Sequence, residues 1–251
     1  MSSSGRGAMP AGMSDPREAA QWVRGMFGRV APRYDLLNHL LSFHIDRFWR
    51  ALTVSRVKPI LQRPGARVLD LCCGTGDLML ALQRRSGGLV FGSDFCHPML
   101  IAAGEKSVRK RARTSIFEAD ALQLPLADAS FDLITVAFGF RNLADYEAGL
   151  REMHRLLKPG GTAAILEFTQ PPNAVVRALN DFYTHRILPR IGGWVSGAPD
   201  AYTYLPDSVS KFPNAPNLAE KMRRNGFDEV KFEYFTGGMV ALHRGLSRPK
   251  A

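Results

Sequence analysis

Apolar residues recur at helical spacing through the first quarter of the chain. Between Glu18 and Pro59 they fall three or four positions apart, the period that brings side chains onto one face of an α-helix. Pro32 should break this segment and Pro59 should end it, because proline cannot donate a helical N–H and its ring clashes with the preceding turn. We therefore predict a helical cap over residues 17–59, after a disordered tail of mostly Ser, Gly, Ala and Pro over residues 1–16.

From residue 60 onward the pattern changes to short apolar runs that alternate with turn residues and helix-like segments. Seven runs have the length of buried strands. They are residues 67–73, 89–95, 115–119, 131–138, 162–168, 230–235 and 239–243. Because parallel neighbours need a crossover long enough to hold a helix, this alternation predicts parallel pairing. The pattern therefore predicts an α/β fold, with a doubly wound, mostly parallel, Rossmann-like sheet of seven strands.

The region after the fifth predicted strand has a different character. A helical insert should run from Pro172 to about Gly193, followed by a loop-rich stretch to Pro216. A helix at Leu218–Asn225 and the last two strands then close the sheet. Since no linker or repeat divides the chain, we predict one domain over residues 17–251. Its parts are the cap at 17–59, the core at 60–172, the insert and loop at 173–216, and the closing helix and strands at 217–251.

Composition and charge narrow the class of protein. Of the 251 residues, 45% are hydrophobic, which excludes a mostly disordered chain, and three cysteines cannot all pair, which indicates a reducing compartment. No apolar stretch approaches the roughly 18 residues of a spanning helix, and none near Met1 resembles a secretory signal. We expect a cytoplasmic protein. The net charge of +10 favours a polyanion or an anionic membrane surface as a partner.

A glycine-rich loop follows the first predicted strand, where the chain reads Cys73-Gly-Thr-Gly-Asp77. In doubly wound sheets ligands bind beyond the carboxyl ends of the strands, so Gly74 and Gly76 should border a cofactor. Asp94 ends the next strand, and a carboxylate there can accept hydrogen bonds from both hydroxyls of a ribose. The loop and Asp94 together predict a cofactor that contains adenosine.

Two such cofactors fit this outline, a nicotinamide dinucleotide and S-adenosylmethionine. The dinucleotide motif needs a small residue where this chain has Met79, and it would place a diphosphate beside Asp77 and above Asp70. S-adenosylmethionine has no phosphate and carries a sulfonium and an ammonium group, which these carboxylates favour. Asp77 also suits the first turn of a helix without any ligand. We predict S-adenosylmethionine, with its adenine near Asp120 and Ala121 after the third strand.

Several blocks of sequence resemble one family. Val68–Asp77 is similar to the glycine motif of class I S-adenosylmethionine methyltransferases. Three further blocks, Tyr34–Trp49, Phe138–Asn142 and Arg155–Thr169, resemble the ubiquinone/menaquinone biosynthesis C-methyltransferases, which methylate a ring carbon of a prenylated quinol. The resemblance runs from about residue 22 to 246. It implies a quinol acceptor, for which we favour demethylmenaquinol; the sequence leaves open whether a polyprenyl-methoxybenzoquinol is also a substrate.

The resemblance also implies roles for individual residues. Cofactor-binding positions of the family match Thr75, Asp94, Asp120, Ala121 and Ala137. At Ala137 some relatives carry a serine, so a side-chain contact is absent there. Arg141 and Asn142 match the active-site turn. The first block departs from the family at Ser42-Phe-His44, where histidine stands in place of glycine.

The implied reaction is an in-line attack of the ring carbon on the sulfonium methyl group, so alignment in a water-poor cleft should supply most of the catalysis. Arg141 should hold the ionised ring oxygen by a charge-assisted hydrogen bond, and Asn142 should orient it. His44 is the candidate general base, because histidine ordinarily titrates near neutral pH. A water molecule held by Arg141, or an aspartate, is the alternative base.

The prenyl tail of such a substrate must be shielded from water. We predict that the cap and the segment Phe182–Val195, with Arg186 and Arg190, form a tunnel for the tail and rest on anionic lipid at the inner face of the membrane. Two other functions stay open. The basic run Arg109–Arg113 suits a nucleic-acid methyltransferase, and the chain would also suit a non-catalytic partner in a quinone-synthesis assembly. The turn after the fourth strand lacks the Asn-Pro-Pro-aromatic motif of enzymes that methylate an exocyclic amine, so we expect no nucleic acid, and no metal site is predicted.

Overall fold

The computed structural model describes residues 7, 10, 12–183, 186 and 199–249. Most of the predicted tail lies outside the described residues, as do residues 184, 185 and 187–198, which include Arg190. Two described residues of the tail contact the rest of the chain. The Gly7 N–H donates to the Ala144 carbonyl (2.9 Å), and Pro10 is buried. This part of the segment is therefore packed against the domain.

Three helices form the cap at the start of the chain. They are α1 (Pro16–Val30), α2 (Tyr34–Leu41) and α3 (Ile45–Leu61). A 3₁₀ turn at Ala31–Arg33 separates the first two, so Pro32 breaks the segment as predicted. The prediction for Pro59 is wrong, since α3 continues past it to Leu61. Val57 and Leu61 are completely buried, and their packing outweighs the one hydrogen bond that a proline costs in the last turn.

One seven-stranded sheet forms the centre of the molecule, in the order β3-β2-β1-β4-β5-β7-β6. Its strands are β1 (Val68–Leu71), β2 (Val90–Asp94), β3 (Thr114–Glu118), β4 (Phe131–Ala137), β5 (Leu157–Phe168), β6 (Phe227–Phe235) and β7 (Val240–Ser247). Strands β1 to β5 pair in parallel, and β7 pairs antiparallel with both β5 and β6. The predicted doubly wound, mostly parallel sheet is confirmed.

Two ladders of the sheet contain a register shift, that of β4 with β5 and that of β6 with β7. The pairing of β4 with β5 passes from Phe131↔Leu157 directly to Leu133↔Thr162. The residues between, Lys158–Gly161, therefore bulge out of the ladder. The closing strands are longer than predicted, because their antiparallel pairing extends to Phe227↔Ser247.

Six further helices lie along the rest of the described chain. They are α4 (Asp77–Gln83), α5 (His97–Arg109), α6 (Tyr146–Leu156), α7 (Ala174–Phe182), α8 (Pro199–Lys211) and α9 (Ala215–Arg224). The predicted loop-rich stretch to Pro216 is wrong, since α8 occupies most of its described part. Tyr204 and Ser208 within the helix and Phe212 directly after it recur at helical spacing and are buried. Packing on one side therefore stabilises this helix despite Pro206 within it.

Apolar layers cover both faces of the sheet. On one face Leu69 and Ile134 pack against α6 and α9, and on the other Val68 and Leu133 pack against α3 and α4. Each fully buried side chain of this size contributes roughly 1.5–3 kcal/mol. Strands β1 and β4 are thus held firmly on both faces. Their carboxyl ends form a rigid platform at the point where the chain order of the sheet reverses.

Candidate functional site

A cleft opens above the carboxyl ends of β1, β2 and β4 and surrounds about 1050 Å³ of empty space, part of it open to solvent. The cap supplies one wall through Phe27, Tyr34 and Arg50. The glycine loop and the turn after β4 supply the floor. The site therefore lies at the switch point, as predicted.

The glycine loop uses its two glycines for different purposes. Gly74 has φ +54 and Gly76 has φ +83, values that favour glycine. A Cβ atom on Gly74 would meet no atom within 4 Å, so this backbone stays open to the cleft. A Cβ atom on Gly76 would come within 2.9 Å of Met79 and 3.3 Å of Ala103. Gly76 does not line the cleft, and the geometry gives it a packing role between the loop and α5.

Asp94 faces the cleft and is 8% exposed. One carboxylate oxygen accepts from the Gly74 N–H (2.8 Å) and the other from the Cys96 N–H (2.9 Å). Burial raises the pKa of Asp94 above its ordinary value, against these two hydrogen bonds. Each carboxylate oxygen can accept a second hydrogen bond. Asp94 is therefore fixed in orientation and retains acceptor capacity for a ribose.

Asp70 and Asp77 also line the cleft, but they differ in charge state. Asp70 is 1% exposed and accepts a hydrogen bond from the Thr135 hydroxyl (2.7 Å), and burial raises its pKa to about 7. At Asp77 burial would raise the pKa, yet the Lys106 ammonium (2.8 Å) and other nearby cations outweigh burial and lower it. Asp77 is thus ionised and already paired at neutral pH.

The pairing of Asp77 corrects the electrostatic argument from the sequence. Lys106 is 8% exposed, contacts the Thr75 hydroxyl (3.0 Å) and also pairs with Asp35 of the cap. Lys106 therefore largely neutralises the negative charge of Asp77, on which the predicted preference for a sulfonium over a diphosphate depended. The sequence did not reveal this, because Lys106 and Asp77 are 29 positions apart and α5 brings them together only in the folded chain.

A network of ion pairs joins the cap to this loop. His39, Asp46 and Asp77 place side-chain atoms within 4.8 Å of one another, a spacing compatible with metal ligands. Arg50 pairs with Asp46, and Lys106 pairs with Asp77. Both carboxylates already have cationic partners. His39, Asp46 and Asp77 therefore serve to hold α2 and α3 against the glycine loop.

The remaining predicted cofactor residues come together around the cleft. Thr75, Asp120, Ala121 and Ala137 all line it. Asp120 is exposed, and one of its oxygens accepts from the Leu122 N–H (2.9 Å), so the carboxylate is held at the mouth. Of the predicted cofactor positions, Gly76 alone lies away from the lining.

The predicted catalytic turn is a 3₁₀ turn at Phe140–Asn142, directly after β4. Asn142 lines the cleft, and its side-chain oxygen accepts from the Tyr204 hydroxyl (3.1 Å). Arg141 does not line it, being 5% exposed. Its Nη1 donates to Glu167 (2.9 Å) and to the Phe138 carbonyl, and its Nε donates to Ser208 (3.3 Å). Within the described chain Nη2 has no hydrogen-bond partner, so Arg141 retains donors beneath the cleft.

His44 lies apart from the other predicted catalytic residues. It is exposed and outside the lining of the cleft, and its ring stacks on His39 at a centroid distance of 5.5 Å. Its backbone has φ 61, ψ 6 at the start of α3. This left-handed conformation favours glycine, which is the residue that the resembling family carries there. The structure thus gives the position a turn-forming role.

Sequence reasoning missed Arg50, which projects into the cleft from α3. A signal was present in the sequence, because Asp46 and Arg50 are four positions apart on the face of α3 that also carries Trp49. Because burying a charge is costly, a charged pair beside the apolar face of a helix indicates a position with a structural or functional role.

The fold and the site define an α/β protein with a cleft at the switch point of its sheet, between a glycine loop and a fixed carboxylate. The family follows from the comparison with known proteins. Residues 13–247 match the ubiE/COQ5 methyltransferase family. The chain belongs to this family, and the resemblance seen in its sequence blocks is confirmed.

Curated relatives cover nearly the whole chain. It is 46% identical over 221 residues to a demethylmenaquinone methyltransferase of Thermus thermophilus, a match that spans 88% of this chain and 99% of that protein. It is 40% identical over 231 residues to a ubiquinone/menaquinone biosynthesis C-methyltransferase UbiE of Shewanella oneidensis, spanning 90% of each.

Solved structures share the fold at low sequence identity. The [4+2]-cyclase SpnF superposes with a TM-score of 0.70 at 16% identity, covering 98% of this chain and 100% of that one. A SAM-dependent methyltransferase from Thermotoga maritima gives a TM-score of 0.59 at 19% identity, covering 88% and 98%. At this level of sequence identity, these similarities show a shared fold alone.

Proposed function

We propose that this protein transfers a methyl group from S-adenosylmethionine to a ring carbon of a prenylated quinol, with demethylmenaquinol as the principal acceptor. The observation that carries the proposal is the cleft at the switch point, where Asp94 keeps free acceptor capacity. Membership of the ubiE/COQ5 methyltransferase family supports it, together with the names of the relatives at 46% and 40% identity.

The residues of the cleft suit the donor. Asp94 would accept from the ribose hydroxyls, and Asp120 would accept from the adenine amino group. Met99 and Phe95 provide apolar surface for the adenine between them. When bound, the donor supplies an electrophilic methyl group on a cationic sulfur. The contribution of the chain is to hold this group still and to exclude water around it.

The acceptor ring would lie between the cap and the turn after β4. Tyr34 and Asn142 face this space, and Phe138 and Leu143 make its walls apolar. Asn142 would hold a ring oxygen by its amide. The Nη2 donors of Arg141, which lies outside the lining, would stabilise negative charge there through one water. The proton released from the quinol would pass to water, since His44 lies outside the cleft.

Turnover with a defined lipid tests this function. The purified protein is incubated with labelled S-adenosylmethionine and either reduced or oxidised demethylmenaquinone, and the lipid is analysed by mass spectrometry. We expect one added methyl group on the reduced lipid alone, because only the quinol ring is nucleophilic. A parallel reaction with a reduced polyprenyl-methoxybenzoquinol compares the two acceptors. Donor binding without methylation of either quinol would contradict the proposal and favour a non-catalytic partner.

Nucleic acid is a poorer acceptor for this structure. The basic run Arg109–Arg113 begins at the end of α5, whose first turn follows the carboxyl end of β2. The run therefore lies at the far end of α5 from the helical turn that follows β2, and none of its residues lines the cleft.

We further propose that the protein docks on the membrane through its cap and α7. Six apolar side chains in these segments are each more than half exposed: Leu36, Phe43, Phe48, Val175, Leu179 and Phe182. The rings of Phe43 and Tyr183 lie 6.2 Å apart, which joins the two groups into one surface. Arg47 and Arg186 are exposed in or next to the same segments. Apolar side chains with flanking cations suit the boundary of an anionic bilayer.

Vesicle sedimentation tests the docking surface. None of the helices in the described ranges has the length and hydropathy to span a bilayer. The variant Phe43→Ser/Phe48→Ser should bind anionic vesicles less than the unchanged protein, while the control Val108→Ser, which changes an exposed apolar residue on α5, should not. Equal binding by all three would contradict the proposal. The tunnel predicted for the tail involves Arg190 and other residues outside the described ranges.

A further inference from the structure

The charges that line the cleft are unevenly distributed. Asp70, Asp77, Asp94 and Asp120 supply carboxylates, and among the described residues the only cationic side chain in the lining is Arg50. Arg50 belongs to α3 of the cap, and its side chain is 11% exposed. A nearly buried arginine at a ligand site needs a partner for each of its donors.

The surroundings of Arg50 leave most of its donors free. Its Nη1 donates to Asp46, which is itself held by the Ser42 hydroxyl (2.8 Å) and the His39 ring (2.9 Å). The guanidinium carbon lies 5.4 Å from the centre of the Phe138 ring. In the part of the chain that the structure describes, Nε and Nη2 have no hydrogen-bond partner. Asp46 and Phe138 thus fix the group while several N–H donors stay available to a ligand.

Arg50 lies at the end of the cleft where the amino-acid part of the donor would lie. At Asp70 and at Asp77, where burial acts to raise the pKa, the Arg50 cation acts against that rise. Its charge is therefore felt at the β1 end of the glycine loop. Asp94, at the end of β2, is the ribose site of the proposed function, so the amino-acid part of S-adenosylmethionine would extend toward Arg50.

This amino-acid part carries a carboxylate, which cannot enter a cleft lined by aspartates without a cation to pair with. We propose that Arg50 binds the carboxylate of the methionyl group of the donor, so that a cap residue completes the cofactor site. The inference rests on the proposed function. The planar guanidinium offers two parallel N–H donors to a carboxylate, an arrangement that lysine cannot reproduce.

Two ligands that differ in the amino-acid part test this role by calorimetry. S-adenosylhomocysteine carries the carboxylate, and 5′-methylthioadenosine has the same nucleoside and thioether without it. Arg50→Met should weaken binding of S-adenosylhomocysteine by about tenfold to a hundredfold, the range for a charge-assisted hydrogen bond, and leave binding of 5′-methylthioadenosine unchanged. Arg56→Met, an exposed change on the same helix, is the matched control and should alter neither affinity.

Two further variants separate direct binding from a structural role of the arginine. Arg50→Lys should recover part of the affinity for S-adenosylhomocysteine, and Asp46→Asn, which keeps Arg50, should retain most of it. An equal loss of both ligands in Arg50→Met, or no loss of either, would overturn the inference while leaving the proposed function intact. If the unchanged protein binds neither ligand, the proposed function fails and this inference fails with it.

Discussion

Replacing Glu167 by glutamine should destabilise the protein more than any surface charge change and should also slow turnover. Glu167 is 1% exposed. One of its oxygens accepts from Arg141 Nη1 (2.9 Å) and from the Phe168 N–H (2.9 Å), and the other accepts from the Arg141 N–H (3.2 Å). Removing one partner of a buried ion pair costs roughly 3–5 kcal/mol, because the other charge remains buried and unpaired. Glutamine keeps one acceptor oxygen, so we expect a loss near the lower end, about 3 kcal/mol.

Urea-induced unfolding at neutral pH measures this loss as a change in the free energy of unfolding. The matched control is Glu233→Gln, which breaks an ion pair with Arg56 (2.8 Å) at the surface. Water screens that pair, so the control should change stability little. Because Arg141 and Asn142 share one turn, Glu167→Gln should also lower kcat without weakening donor binding at Asp94. A loss in Glu167→Gln no larger than in Glu233→Gln, with normal kcat, would refute the reasoning.

Three further predictions concern other parts of the molecule. Asp94→Asn should weaken S-adenosylhomocysteine binding at least about tenfold in calorimetry, because a charge-assisted hydrogen bond to the ribose is lost; unchanged affinity would remove Asp94 from the site. Burial lowers the pKa of His243 to about 4 from an ordinary 6.5, so the unfolded chain takes up its proton first and stability should fall by about 3 kcal/mol as pH drops from about 6.5 to 4. Asp70, whose pKa is raised to about 7, makes stability rise as pH falls, which opposes the effect of His243. The test is therefore the difference in free energy of unfolding between the unchanged protein and His243→Gln at each pH. Equal pH profiles of the two proteins would contradict the prediction for His243. His44→Gly should raise the free energy of unfolding by about 0.5–1 kcal/mol by relieving a left-handed backbone and leave kcat unchanged; a collapse of kcat would instead support His44 as the base.

Elements with a strong local pattern were predictable from the sequence. The β1 strand is a run of buried residues followed by a glycine loop, and its position needs no knowledge of the rest of the chain. The α8 helix was missed because Tyr204 within it and Phe212 directly after it, both buried, are separated by polar residues and Pro206. Their burial depends on distant parts of the chain, namely α1 and the turn after β4, which a local pattern does not contain.

The same distinction holds within the site. Asp94, Asp120 and Asn142 follow strands, and parallel strands bring their carboxyl ends to one edge, so their convergence follows from the order of elements. Arg50 approaches the cleft from a helix that precedes the sheet. The angle at which that helix crosses depends on packing around Trp49 and Phe138, and no spacing in the sequence encodes it.

The sequence by itself determined the class of fold, the glycine loop and the family, because each depends on short-range periodicity or on contiguous motifs. Tertiary structure alone decided the charges in the cleft. Lys106 neutralises Asp77, Arg50 enters from the cap, and Glu167 holds Arg141 away from the lining. The physical reason is that a charge acts through space and through local burial, whereas distance along the chain places no limit on which charges meet.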